Sequence, residues 1–117
     1  MAQVERLICA SADLAEGGRG VRFEVERFGQ IEPAFAIRHH WRVHAYLNRC
    51  AHVPAELDWV EGEFFDAGGL YLICATHGAL YDPATGACLG GRCDGRGLQV
   101  LHVREAEGNV YLMQEGG

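Results

Sequence analysis

The chain has 117 residues and a formal net charge of −6, and 49% of its residues are hydrophobic. This length fits one modest core, so we expect residues 1–117 to form a single domain. The acidic charge disfavours contact with phosphate backbones and anionic membrane surfaces, so we expect neither nucleic acid nor membrane as a partner. The sequence has no apolar run of about 18 residues and no basic, then apolar, N-terminal segment, which predicts a cytoplasmic protein.

Short apolar or alternating runs between turn residues predict strands along the whole chain. The 16 glycines and 3 prolines favour a turn-rich β protein over a helical bundle. One helical turn is expected at 11–14. Strands are expected at 4–9, 21–25, 34–38 and 44–47, in a hairpin of 64–65 with 70–73, around the turn 82–86, and in a hairpin of 98–103 with 110–113. The pattern predicts an all-β fold of short antiparallel strands.

Five cysteines are present, and an odd number in a cytoplasmic chain argues against a disulfide scaffold. The odd number directs attention to metal binding or redox chemistry instead. Two of the cysteines belong to short motifs, Cys50-Ala51-His52 and Cys74-Ala75-Thr76-His77-Gly78, each of which stands where a predicted strand gives way to a loop. The intervening residues 53–73 can return the chain and bring the two loops together. Thiolate and imidazole ligands suit an iron–sulfur cluster or zinc.

The two motifs and the run that follows them resemble the Rieske iron–sulfur family, in particular its ferredoxins, over about residues 48–91. This run is His77-Gly78-Ala79-Leu80-Tyr81-Asp82, then Thr85-Gly86. The resemblance implies a Rieske-like domain of stacked sheets or an incomplete barrel, with a small cluster-binding subdomain at about 48–91. It also implies one 2Fe-2S cluster with the two Cys on one iron and the two His on the other. The ligands would be Cys50, His52, Cys74 and His77, with Gly78 and Tyr81 beside them.

Departures from the family pattern concern the surroundings of the cluster. Respiratory members join the two loops by a disulfide, but Ala55 and Thr76 stand at the matching positions here. A Ser that would donate to a bridging sulfide is replaced by Ala79, whereas the Tyr donor to a cluster sulfur is retained as Tyr81. Fewer donors stabilise the reduced cluster less, so we expect a potential in the lower part of the family range of roughly −150 to +300 mV.

Zinc is the main competing metal, because tetrahedral sites with two Cys and two His are common. Zinc fingers usually pair Cys with Cys and His with His along the chain, and the alternating order here argues against zinc. Cys88 and Cys93 could form a labile disulfide or a redox switch, but the reducing cytoplasm favours two reduced thiols. We expect Trp41 and Trp59 to be packing residues.

The resemblance implies an electron carrier rather than an enzyme. It would be a ferredoxin that receives single electrons from a reductase and passes them to a terminal oxygenase or reductase. Two alternatives remain open. One is a small accessory subunit of a reductase, similar to the small subunit of nitrite reductase, and the other is a redox or metal sensor that uses Cys88 and Cys93.

Overall fold

The computed structural model describes residues 3–50, 55–58, 60–75, 78–91, 93 and 96–115. These residues form ten strands and one 3₁₀ turn, Ser11–Asp13, which agrees with the predicted all-β class. The strands are β1 (Gln3–Ala10), β2 (Val21–Arg27), β3 (Gln30–His39), β4 (Arg42–Leu47), β5 (Leu72–Ile73), β6 (Leu80–Tyr81), β7 (Cys88–Gly90), β8 (Val100–Leu101), β9 (Val103–Ala106) and β10 (Asn109–Glu115). In this part of the chain no helix is long and apolar enough to cross a membrane.

The strands form three antiparallel sheets, and none of them closes into a barrel within the described residues. The first has the order β1-β10-β9, the second β2-β3-β4-β8, and the third, which is the smallest, β5-β6-β7. β1 pairs with β10, so strands from the two ends of the chain lie side by side. The small sheet lies entirely within residues 72–90, and the predicted second cluster motif connects its strands β5 and β6.

The central strand β3 is buried on both faces and therefore separates two parts of the core. Its residues 34–37 are all fully buried. Phe35 and Ile37 pack in the same core cluster as Leu72 of the small sheet, and the ring of Phe35 stacks on Phe64 at 4.0 Å. Ala36, on the opposite face, packs with Val110 of β10. This alternation follows from the two-residue repeat of a strand and joins the small sheet to the larger sheets through one apolar layer.

Two predicted hairpins differ in detail from the structure. Residues 64–65 pair with 70–73 as predicted, through the bridge of Phe65 with Leu72 and the hydrogen bond from the N–H of Ile73 to the oxygen of Phe64, but they are too short to form a strand, and β5 also pairs with β6. The predicted strand 98–103 is divided at His102, because β8 pairs with β4 whereas β9 pairs with β10. One continuous predicted strand can therefore be divided between two sheets, which local patterning does not reveal.

The prediction that Trp41 is a packing residue is wrong, because 79% of this residue is exposed. It lies in the β3–β4 turn, where His40 and Trp41 have φ values of 50° and 67°. The carboxylate of Glu16 accepts hydrogen bonds from both backbone N–H groups, at 2.7 and 2.6 Å. The side chain of Trp41 is directed outward by this turn. Trp59 lies outside the described residues.

The turn between β6 and β7 is fixed against β4 by Tyr46. The buried phenol of Tyr46 donates to the backbone oxygen of Pro83 at 2.7 Å, and burial raises its pKa, which keeps it a donor. Gly86 has a φ of 77°, and a Cβ at this position would lie 2.8 Å from Cε1 of Tyr46. Glycine is required here by both the backbone angle and the close approach of the ring.

Candidate metal centre

The first predicted ligand loop begins where β4 ends. The backbone N–H of Asn48 donates to the oxygen of Pro33 at 2.8 Å, which continues the pairing with β3. The N–H of Cys50 then donates to the oxygen of Ala55 at 2.7 Å and closes a short loop. Cys50 is only 2% exposed. Its thiol is therefore held at the base of a closed loop, inside the core.

The second predicted ligand loop connects β5 with β6. Leu72 pairs with Tyr81 and Ile73 with Leu80, and the loop closes with the N–H of Cys74 donating to the oxygen of Ala79 at 2.9 Å. Gly78, at a φ of 72°, donates from its N–H to the oxygen of Cys74 at 2.7 Å. Cys74 is fully buried. A tight hairpin tip therefore fixes the second thiol.

Tyr81 connects the two loops at the level of the sulfur atoms. It lies on β6, directly after the second loop, and it belongs to the same buried cluster as Cys50 and Cys74. Its phenolic oxygen lies 3.5 Å from Sγ of Cys50, the thiol of the first loop. When Cys50 is a thiolate, only the phenol can donate, so Tyr81 has the position of a donor to a ligand sulfur.

Hydrogen bonds through Leu57 tie the loops together at their backbones. The N–H of Leu57 donates to Oδ1 of Asn48 at 2.8 Å, and the N–H of Ala75 donates to the oxygen of Leu57 at 3.0 Å. Asn48 is two residues from Cys50, and Ala75 directly follows Cys74. We call Asn48, Leu57 and Ala75 the loop clasp. It joins the two loops by hydrogen bonds.

A buried carboxylate supports the loop clasp. Oδ1 of Asp58 accepts a hydrogen bond from Nδ2 of Asn48 at 3.0 Å, and Oδ2 accepts one from the N–H of Gly62 at 3.0 Å. Nε of Arg22 lies 3.6 Å from Oδ2 of Asp58, whose side chain is fully buried. Each carboxylate oxygen thus has a partner, as a buried charge requires. Sequence reasoning missed Asn48 and Asp58 as supporting residues, because their link depends on folding of the intervening loop.

A third loop follows β7, and a disulfide joins Cys93 of this loop to Cys88 of β7, with their Cα atoms 5.9 Å apart. The expectation that these two cysteines are reduced thiols is therefore wrong for this structure. The odd number of cysteines and the expected cytoplasmic location gave no reason to expect pairing, but the turn after β7 brings the two residues within bonding reach. Cys93 is fully buried in the group of apolar core side chains that also contains Cys50 and Cys74.

The other two predicted ligands, His52 and His77, lie outside the described residues. The two described ligand candidates, Cys50 and Cys74, have surroundings that can be compared with those of an iron–sulfur cluster. Two buried thiols come from two closed loops, with a phenol beside one of them, inside one apolar cluster. Soft thiolates in an apolar pocket with a hydrogen-bond donor are the surroundings that iron–sulfur clusters use. The described half of the donor set therefore fits the cluster that the sequence motifs predict.

Comparison with known proteins agrees with this reading. The family model described as "Rieske [2Fe-2S] domain" matches residues 5–111. No curated protein sequence matches the chain.

Solved structures with a similar fold include two ferredoxins. The ferredoxin of Sphingomonas yanoikuyae B1 has a TM-score of 0.73 and 22% identity, and the match covers 96% of this chain and 100% of that one. The ferredoxin of carbazole 1,9a-dioxygenase from Nocardioides aromaticivorans IC177 has a TM-score of 0.72 and 20% identity, with 96% and 99% covered. A chain in the complex of reduced oxygenase and oxidized ferredoxin in carbazole 1,9a-dioxygenase has a TM-score of 0.71 and 24% identity, with 99% and 100% covered. At these identities the likeness establishes the fold.

Proposed function

The chain belongs to the Rieske [2Fe-2S] domain family and carries that family's one 2Fe-2S cluster, and on this premise we propose that it is a ferredoxin, a one-electron carrier rather than an enzyme. The observation that carries the proposal is the convergence of two closed loops, each with one buried cysteine, on a common apolar cluster. When bound, the cluster supplies a one-electron redox couple.

We propose the following roles for the chain's own residues. Cys50 and Cys74 bind as thiolates, and His52 and His77 complete the ligand set as neutral imidazoles. Gly78 allows the tight tip of the second loop. Tyr81 donates a hydrogen bond to Sγ of Cys50, which stabilises negative charge on that sulfur. The apolar side chains around the thiols exclude water from one side of the site.

We propose that residues 1–117 act as a single domain with a cluster-binding subdomain at about 48–91. The support is that the matches to the two ferredoxins cover 96% of this chain and nearly all of theirs.

The partners we propose are a reductase that donates the electron and a terminal oxygenase or reductase that accepts it. The support is the similarity to a chain from a complex of an oxygenase with a ferredoxin. The net charge of −6 favours a basic docking face on the partner and disfavours nucleic acid and anionic membranes. We place the protein in the cytoplasm, where such redox partners work.

Anaerobic electron transfer tests this function. The protein is reduced, separated from the reductant and mixed with oxidised cytochrome c, a basic one-electron acceptor. We expect a fast phase with one cytochrome c reduced per chain and a rate that falls with ionic strength. No reduction of cytochrome c, or a fast phase of two electrons per chain, would contradict a one-electron carrier.

A further inference from the structure

The Cys88–Cys93 disulfide packs in the same apolar core as the proposed ligand residues Cys50 and Cys74. It closes a loop between residues only five positions apart. Cys93 is fully buried in the same apolar cluster as Cys50, Cys74 and Tyr81, whereas Cys88, in β7, is half-buried. Cys88 is therefore partly accessible to solvent. Cys93 is packed among the side chains that surround the proposed iron–sulfur site.

The loop closed by this disulfide packs against the backbone of the second ligand loop. Gly91 has a φ of 83°, and a Cβ at this position would lie 2.9 Å from Cα of Ala79 and 2.9 Å from the oxygen of Gly78. The two backbones are therefore in close contact. Gly78 and Ala79 directly follow His77, so a movement of the third loop changes the support of a proposed ligand.

The reduced form of the pair also fits this structure. Sγ of Cys93 lies 3.3 Å from the backbone oxygen of Gly90 and 3.9 Å from that of Leu80. On reduction the two sulfur atoms must move apart, and a Cys93 thiol close to its present place can donate a hydrogen bond to the oxygen of Gly90. The buried sulfur of Cys93 therefore has an acceptor nearby after the disulfide is broken.

We propose that Cys88 and Cys93 form a thiol–disulfide exchange site, reduced by a dithiol protein of the thioredoxin class, whose state controls how firmly the second ligand loop is supported. The effect on the cluster rests on the proposed function, whereas the exchange reaction can be measured without the cluster. In the reducing cytoplasm, where we place the protein, disulfides are usually transient or redox-sensing, which favours exchange over a permanent structural bond.

The exchange proceeds by two thiolate attacks. A thiolate of the reductant attacks Sγ of Cys88, the Cys88–Cys93 bond breaks, and Cys93 leaves as a thiolate that takes a proton from water. The second thiol of the reductant then releases Cys88 from the mixed disulfide. Overall, two electrons and two protons pass to Cys88 and Cys93, and the dithiol of the reductant becomes a disulfide.

The exchange itself is tested by alkylation and mass spectrometry, with thioredoxin, thioredoxin reductase and NADPH as the reductant. We expect Cys88 and Cys93 to be linked after mild oxidation, to be alkylated after treatment with thioredoxin, and to be linked again on reoxidation. Two cysteines that are alkylated in every sample, or linked in every sample, would overturn the proposal. This readout does not require the cluster.

The effect on the cluster is tested by the rate at which a chelator removes iron. We expect iron loss to be on the order of fivefold faster in the thioredoxin-reduced protein than in the linked protein, because the loop under Gly78 opens more often. The double variant Cys88→Ser/Cys93→Ser should lose iron at the fast rate with or without thioredoxin. Equal rates for linked and reduced wild-type protein would overturn this coupling. Exchange in a protein that binds no cluster would instead contradict the proposed function.

Discussion

At the scale of single residues, the phenolic oxygen of Tyr81 lies 3.5 Å from Sγ of Cys50, the sulfur of a proposed ligand. Tyr81→Phe removes the hydrogen bond but keeps the ring. A donor stabilises the more negative, reduced state, so we expect a lower midpoint potential. A preference of about 1 kcal/mol for the reduced state corresponds to roughly 40 mV for one electron. Redox titration measures this shift, and Tyr111→Phe, in β10, is the control. An unchanged or higher potential in Tyr81→Phe would contradict the role of the phenol.

Ala79 offers the opposite substitution. It is fully buried in the same cluster as both thiols and stands where the family resemblance places a serine donor. Ala79→Ser supplies a hydroxyl, and we expect the midpoint potential to rise by tens of millivolts, on the order of one neutral hydrogen bond. The exposed Ala84→Ser is the control. A wild-type potential already near the top of the family range, or no rise in Ala79→Ser, would contradict the low-potential assignment.

The sequence predicted those site residues that belong to short motifs of Cys and His, because such motifs are rare by chance. A Cys-x-His and a Cys-x-x-His motif carry their meaning locally, and Tyr81 follows at a fixed distance in the same run. Asn48 and Asp58 gave no comparable signal, because an amide and a carboxylate ten residues apart are common in any chain. Their role depends on a fold that buries both and brings them to 3.0 Å.

At the scale of elements, the loop clasp holds the two ligand loops together through hydrogen bonds. Asn48→Ala removes the acceptor for Leu57 and leaves the buried carboxylate of Asp58 with one donor fewer. We expect the free energy of unfolding to fall by about 1–3 kcal/mol and the cluster to be lost faster to a chelator.

Denaturant unfolding and the decay of cluster absorbance measure these two effects of Asn48→Ala. The control is Asn109→Ala, whose side chain bonds only the hydroxyl of Tyr111, at 3.4 Å, among the described contacts. A variant Asn48→Ala that keeps its cluster as long as Asn109→Ala does would show that the loop clasp is not needed.

Strand positions were easier to predict than strand partners. Apolar and charged residues alternate in the run 21–25, and apolar residues are consecutive in 34–37. Both patterns are typical of strands, and both runs lie within longer observed strands, β2 and β3. The division of 98–103 between β8 and β9 could not be predicted, because it follows from which distant strand each half meets. Pairing across many residues is set by the packed core rather than by local sequence.

At the scale of the whole molecule, Arg38 and Glu105 join two sheets. Arg38 of β3 donates to both carboxylate oxygens of Glu105 of β9, at 2.7 and 3.1 Å. The hydrogen bonds from Arg38 lower the pKa of Glu105 from its ordinary value of 4.5. The stabilisation is therefore complete above pH 4.5 and is lost as the pH falls through the lowered pKa.

Glu105→Gln tests this pH dependence. We expect wild-type protein to be more stable than the variant at neutral pH and the difference to shrink below pH 4.5. Urea unfolding over a pH series measures the difference. Glu107→Gln, in the exposed β9–β10 turn, is the control. A difference between wild type and Glu105→Gln that stays constant on acidification would contradict the ion pair between the sheets.

The ligand set is the central claim, and pulsed electron paramagnetic resonance of the reduced protein tests it most directly. The protein is labelled with ¹⁵N-histidine and purified anaerobically. We expect a 2Fe-2S signal with hyperfine couplings from two histidine nitrogens, and loss of that signal in His52→Ala and in His77→Ala. A signal without histidine nitrogen couplings, or one that persists unchanged in either variant, would contradict the assignment of Cys50, His52, Cys74 and His77 as the ligands.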